Sequence, residues 1–179
     1  LRRTDGTAVS RGPQVLLKLG GELLEDPTRL AALARALARV SRTTRLAIVH
    51  GGGREIDQAL AQAGIPKLQI DGLRVTDAAT LQVVVAVLAG TINTRFVAAL
   101  NAAGASAVGL TGADAGVAPV RRAAPHVSTS GAQVDLGLVG QPVTGPAPSL
   151  LAQLGRGGFL PVTACIGAGR DGQLYNVNA

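Results

Sequence analysis

Apolar positions along the chain come in two kinds of pattern, short uniform runs and longer stretches with helical spacing. The run VLLKLGG, residues 15–21, is apolar apart from Lys18 and closes on a glycine pair, which predicts a buried strand ending in a turn. A helix is predicted next: Asp26 can cap it, Pro27 suits its first turn, and Leu30, Leu33, Leu37 and Val40 recur as its buried stripe. RLAIVHGGG, residues 45–53, predicts a second strand closed by three glycines, and REIDQALAQAG a second helix stopping at Gly64. A third, longer helix starts near Asp77 and runs through LQVVVAVLAGTINTRFVAAL, its valines tolerated because they are buried. ASAVGLTG then supplies another strand.

Strands too uniformly apolar to face water, alternating with helices, call for a mostly parallel sheet covered on both faces. The predicted class is therefore α/β, a three-layer αβα sandwich with a mainly parallel central sheet. From Val117 to Pro148 the segments shorten and fill with Gly, Pro, Ser and Thr, which predicts hairpins or an exposed flap. A last helix, SLLAQLG, leads into the strand FLPVTACIG and the extended segment QLYNVNA. With no long linker and no repeat, the simplest partition is a polar lead over residues 1–13 and one domain over 14–179.

Composition narrows the classes. A chain of 179 residues, 47% hydrophobic and 16% charged, is large and apolar enough for one compact core. No apolar stretch of membrane-spanning length lacks a charge or a glycine break, and the arginine-bearing lead has no apolar run of secretory type, so a cytoplasmic protein without membrane contact is expected. The single cysteine, Cys165, cannot form an internal disulfide and is expected to be a buried, inert thiol; a Cys/His metal cluster is excluded. The net charge of +6 comes mostly from arginines spread along helix faces, and aromatic residues are only 2% of the chain, so a nucleic-acid partner is not expected.

The candidate chemistry sits in two turns. Gly20–Gly21 and Gly51–Gly52–Gly53 each end a strand and precede a helix, which places both at the carboxyl edge of a parallel sheet, where bare backbone N–H groups and helix starts receive anions. Lys18, in an apolar run, would be costly to bury without an anionic partner and is the candidate phosphate-holding cation. His50 can donate a hydrogen bond or stand as a structural strand-end residue, and it is not assigned to catalysis. Neither turn continues into the Lys-Ser/Thr of the mononucleotide P-loop, which excludes that class. GAGRDG, residues 167–172, precedes an extended segment instead of a helix and predicts a hairpin reversal at Asp171–Gly172.

KLGG, HGGG, GLRVTD, AGTIN, VGLTGADAG, VDLGLVG and DGQLYNVNA occur in the order and spacing of the acetylglutamate kinases, within the amino acid kinase family. The chain resembles that family over about residues 14–179. KLGG and HGGG mark only the wider family, and GLRVTD together with NVNA narrows the resemblance.

The resemblance implies a carbamate-kinase-like fold and ATP-dependent phosphorylation, with Mg2+, of the γ-carboxylate of N-acetyl-L-glutamate on the route to arginine. It implies that Lys18, as a transition-state stabiliser, and Gly20, Gly21, Gly51, Gly52 and Gly53 cradle the transferring phosphoryl group. It gives Gly52, Gly53, Gly72 and Leu73 to the substrate pocket, and Arg74 to a bidentate pair with the substrate's α-carboxylate. Asn176 would bind the substrate's polar end, Asn178 support the phosphoryl site, and Asn93 pin the long helix. No residue is assigned to a metal. The family pattern continues past NVNA with an aspartate, so these residues are expected to be the substrate-binding, dimerising half of a longer protein whose ATP-binding half lies outside them. A homodimer across the long helix or the neighbouring sheet edge is expected, and arginine feedback is expected to be weak or absent because the polar lead shows no additional helix. The rival readings are a kinase of acetylaminoadipate, one methylene longer, and a non-catalytic binding or dimerisation module.

Overall fold

The computed structural model describes residues 15–145 and 149–178; the polar lead 1–13 with Gln14, the end of the flap at 146–148 and Ala179 lie outside them. A four-stranded parallel sheet runs in the order β1 (Val15–Leu19), β2 (Leu46–His50), β10 (Leu160–Ala164), β5 (Ala107–Thr111). Residues of β10 are buried throughout and those of β2 nearly so, as they must be in a parallel sheet covered on both faces. The predicted α/β class with a parallel central sheet is what forms.

Strand β1 departs from the expectation of full burial. Among the described residues it pairs on one side only, and Val15 and Leu16 are 44% and 65% exposed. Lys18 is exposed as well, so its ammonium does not bear the desolvation cost that the apolar run suggested. The run is apolar, but the strand lies at the sheet's edge.

A short helix α1 (Glu22–Glu25), not foreseen from sequence, follows the first glycine turn. Helix α2 (Pro27–Val40) begins as predicted, with the Asp26 carboxylate accepting from the Arg29 N–H at 2.7 Å. Its stripe buries Leu30, Ala34, Leu37 and Ala38, while Val40 is 46% exposed because it belongs to the last turn, beyond the core. Helix α3 (Gly53–Gln62) ends before Gly64, whose φ of 67° is the left-handed stop that glycine allows.

The long helix Ala78–Ala102 comprises α4 (Ala78–Val85), a π-helical segment (Ala86–Asn93) and α5 (Thr94–Ala102). Buried positions explain the wide turn: Val87 and Leu88 are followed by Ile92 and Asn93, a spacing of five that a π-helix puts on one face and an α-helix does not. By length and composition this helix could cross a membrane, contrary to the reading of the sequence. Here it is the core helix of the domain, burying Leu81, Val84, Leu88, Ile92, Phe96 and Leu100 along its whole length.

The second half of the chain builds a smaller mixed sheet over the carboxyl edge, in the order β11 (Ile166–Ala168), β12 (Leu174–Val177), β9 (Val139–Pro142), β6 (Val120–Arg122). FLPVTACIG is therefore two strands, β10 and β11, with Cys165 at the step between sheets. The GAGRDG reversal forms as predicted between β11 and β12, with Gly172 at φ 81°. The predicted SLLAQLG helix forms as Ser149–Arg156, and two hairpins complete the fold, β3 (Gln69–Ile70) with β4 (Leu73–Arg74) and, in the predicted flap, β7 (His126–Val127) with β8 (Gln133–Val134).

Candidate functional site

Parallel register sets the two glycine turns side by side. Lys18 pairs with Val49 and Leu19 with His50, so both strands end level, and the Gly51 N–H donates to the Leu19 carbonyl at 3.1 Å. The glycines divide into two groups. A Cβ on Gly21 would lie 2.5 Å from Gly52 Cα, and one on Gly52 would overlap the Ile92 side chain, so this pair is required for the turns to pack against each other and against the long helix. A Cβ on Gly51 or Gly53 would meet nothing within 4 Å. Helix α3 starts at Gly53, so its unpaired N–H groups and positive dipole end lie at the second turn.

Both turns open on a cavity of about 280 Å3. Its wall contains every residue assigned from the sequence to phosphate or substrate, Lys18, Gly20, Gly21, Gly51, Gly52, Gly53, Gly72, Leu73, Arg74, Asn176 and Asn178, whereas His50 and Asn93 lie outside it. They come from β1, the two turns, the β3–β4 hairpin and the end of β12, so distant parts of the chain converge here. Asn176 lies in β12, whereas Asn178 is one residue past its end, exposed at the rim.

Arg74 is held tightly. Its side chain is only 8% exposed; Nη2 donates to Asp57 Oδ1 at 2.5 Å and to the Gly53 carbonyl at 3.3 Å, while Nη1 is buried with no partner among the described residues. Asp57 shares its second oxygen with Lys67 at 2.6 Å. Burial pushes the Asp57 carboxyl up, but the hydrogen bonds and charges of Lys67 and Arg74 outweigh it and hold the group below its usual value. The cluster of two cations and one carboxylate carries a net positive charge, suited to an anion.

Asn176 is tied to the same network. Thr76, fully buried, donates from Oγ1 to the Arg74 carbonyl at 3.2 Å, so the Asn176 Nδ2 at 3.2 Å must be the donor to Oγ1. That leaves the Asn176 carbonyl oxygen free of this bond, an acceptor on the cavity wall.

Beneath the turns, His50 is completely buried between two partners: its Nδ1 donates to the Gly51 carbonyl at 3.2 Å and its Nε2 accepts from Asn93 at 3.0 Å. Burial lowers its pKa and keeps it neutral, a structural role that fixes the second turn's peptide. Cys165 also lines the cavity; burial pushes its thiol up to about 11 against the opposing charge of Lys18, so it is not a thiolate at neutral pH.

The carboxylate that holds Arg74 had no sequence signal of function. Asp57 sits at an ordinary helical position, and its importance appears only when the hairpin brings Arg74 to it. The hairpin carried a signal that the sequence reading left unused: Asp71–Gly72 between apolar residues is a strong two-residue reversal, and Asp71 has φ 50° and Gly72 φ 79°. Among the described residues, no group of three or more His, Cys, Asp or Glu side chains can hold a metal ion.

The chain is 48% identical over 171 residues to the acetylglutamate kinase of Sorangium cellulosum, covering 94% of this chain and 59% of that protein. It is 42% identical over 164 residues to the acetylglutamate kinase of Methanopyrus kandleri, covering 92% and 62%. Among solved structures, N-acetylglutamate synthase from Neisseria gonorrhoeae, complexed with coenzyme A and N-acetyl-glutamate, superposes with a TM-score of 0.74 at 26% identity, over 94% of this chain and 37% of that one. The chain thus spans about six-tenths of the length of these two kinases. Residues 13–179 match the amino acid kinase family, the fold and the paired glycine turns are those its sequence motifs predicted, and the chain belongs to that family.

Proposed function

We propose that the protein takes part in ATP-dependent phosphorylation of the γ-carboxylate of N-acetyl-L-glutamate, with residues 14–179 as the substrate-binding half. The observation that carries this is the convergence, in one cavity, of two anion-receiving glycine turns with Lys18 on one side and a cationic Arg74 with an amide acceptor, Asn176, on the other. Two cationic or anion-receiving groups in one cavity suit a substrate with two acidic ends.

In this reading Arg74 holds the α-carboxylate, and the Asn176 carbonyl oxygen accepts the acetamido N–H. Gly72 and Leu73 close the pocket above the methylenes. The γ-carboxylate is thereby aimed at the glycine turns, where Lys18 and the N–H groups of Gly20, Gly21, Gly52 and Gly53 offset the negative charge on the phosphoryl oxygens as a carboxylate oxygen bonds to phosphorus and the bond to ADP breaks, while Gly51, its N–H bonded to Leu19, leaves the space beside them open. Asn178 supports the same region from the rim. ATP supplies the phosphoryl group. The open space at Gly51 and Gly53 fits a phosphoryl group, whereas the described residues offer no carboxylate set for Mg2+, which would arrive on the nucleotide. A homodimer in the cytoplasm belongs to this reading. The long helix presents Ala89, Val97 and Ala98 beside β5, which among the described residues pairs on one side only, a face on which a second copy can pack.

The experiment is a calorimetric and thermal-shift titration with N-acetyl-L-glutamate, with L-glutamate and N-acetyl-aminoadipate as controls. Ligand at about 100 times its dissociation constant should add about 2.7 kcal/mol, a shift of several degrees. Arg74→Ala should abolish the shift. A folded chain that responds equally to L-glutamate, or better to the longer homologue, refutes the substrate assignment.

A further inference from the structure

Arg74 is the cation on which recognition of a carboxylate rests, yet an arginine side chain has many rotamers, and its reach alone does not fix the guanidinium. In this structure the first turn of α3 fixes it twice. The Gly53 carbonyl and the Asp57 carboxylate, four residues apart and so on one face of the helix, both receive Nη2. Gly53 is also the last glycine of the phosphate-facing turn. The same helical turn therefore carries one wall of the phosphoryl region and the clamp on the carboxylate anchor.

The second oxygen of Asp57 is on Lys67, in the connection between α3 and β3. With two cations on one carboxylate, Asp57 can hold Arg74 without cancelling the positive charge of the cluster. Arg74 Nη1 remains desolvated and unmatched, which is costly unless an anion completes it.

We propose that Asp57 is a positioning residue that locks the Arg74 guanidinium against α3 so that it meets a substrate carboxylate pre-ordered. This rests on the reading of the cavity as a carboxylate-binding site, although the lock itself does not. The sign of the effect is diagnostic. Asp57 is a negative charge beside an anion site, so on charge alone its removal tightens anion binding; as a positioning residue, its removal weakens it.

The test uses side-chain NMR of 15N-labelled arginine together with calorimetry, the Arg74 signals being assigned with Arg74→Lys. In the wild-type protein, the Arg74 Nε–H and Nη–H resonances should be distinct and slowly exchanging. In Asp57→Asn and Asp57→Ala they should average and exchange quickly, and the dissociation constant for N-acetyl-L-glutamate should rise about tenfold, as expected when the ligand must itself immobilise a long side chain. Asp57→Glu should restore part of both. Unchanged Arg74 resonances in the isosteric Asp57→Asn, or tighter binding by either variant, overturn the proposal. Absence of binding by the wild type sinks the functional reading, while the Arg74 resonances still decide the lock.

Discussion

Asn93, in the π-helical segment, donates from one amide nitrogen to His50 Nε2 and to the Val162 carbonyl, each at 3.0 Å, and so pins the long helix to the two central strands. The bond requires a neutral His50. With its folded pKa lowered from 6.5, the folded state resists a proton that the unfolded chain accepts. Stability is therefore full above about pH 6.5 and declines as the pH falls below it, until His50 also protonates in the fold. Urea midpoints between pH 8 and pH 5 should fall, and His50→Gln should flatten that part of the profile. A wild-type profile level through this window would show that His50 does not stay neutral.

The glycines should separate by role. Gly21→Ala drives a methyl into the Gly52 backbone, which cannot retreat, and should destabilise the domain by more than about 3 kcal/mol or prevent folding. Gly51→Ala and Gly53→Ala meet open space and should change stability by less than about 1 kcal/mol. Their effect should appear in weakened nucleotide or phosphate binding. Denaturant unfolding combined with anion titration checks both; equal destabilisation by all three variants would contradict the division.

Asp71 at the tip of β3–β4 is clasped by the flap. Its carboxylate accepts from His126 Nε2 at 2.8 Å and from the Thr129 N–H and Oγ1 at 3.0 and 2.8 Å. The His126 bond is the main reason its pKa is lowered, so the clasp holds down to pH values below 3.8. Asp71→Ala loses all three bonds and places a Cβ-bearing residue without a local hydrogen bond at positive φ. Hydrogen exchange should accelerate over residues 69–74, and N-acetyl-L-glutamate binding should weaken because Arg74 lies on that hairpin. Unaltered exchange there would mean that the hairpin stands without the flap.

The sequence was most legible where local chemistry decides. Asp26 and Pro27 fixed a helix start, Gly64 a helix end, Asp171–Gly172 a reversal, and the glycine pairs after apolar runs marked the carboxyl edge at which the cavity opens. Each depends on backbone preferences within a few residues. The spacing of VVVAVLAGTIN predicted a helix but not its π turn, because that turn is set by which side chains the sheet below accepts.

What the sequence by itself determined, then, was the α/β class and the places of the glycine turns at the carboxyl edge, since periodicity and turn chemistry are local. Tertiary structure decided the rest. It left β1 at an edge with Lys18 exposed, gave Gly21 and Gly52 to packing, made His50 a neutral strut, and brought Asp57 from an unremarked helical position to the guanidinium of Arg74. Burial and contact arise from segments distant along the chain, and no local pattern encodes which neighbour will arrive.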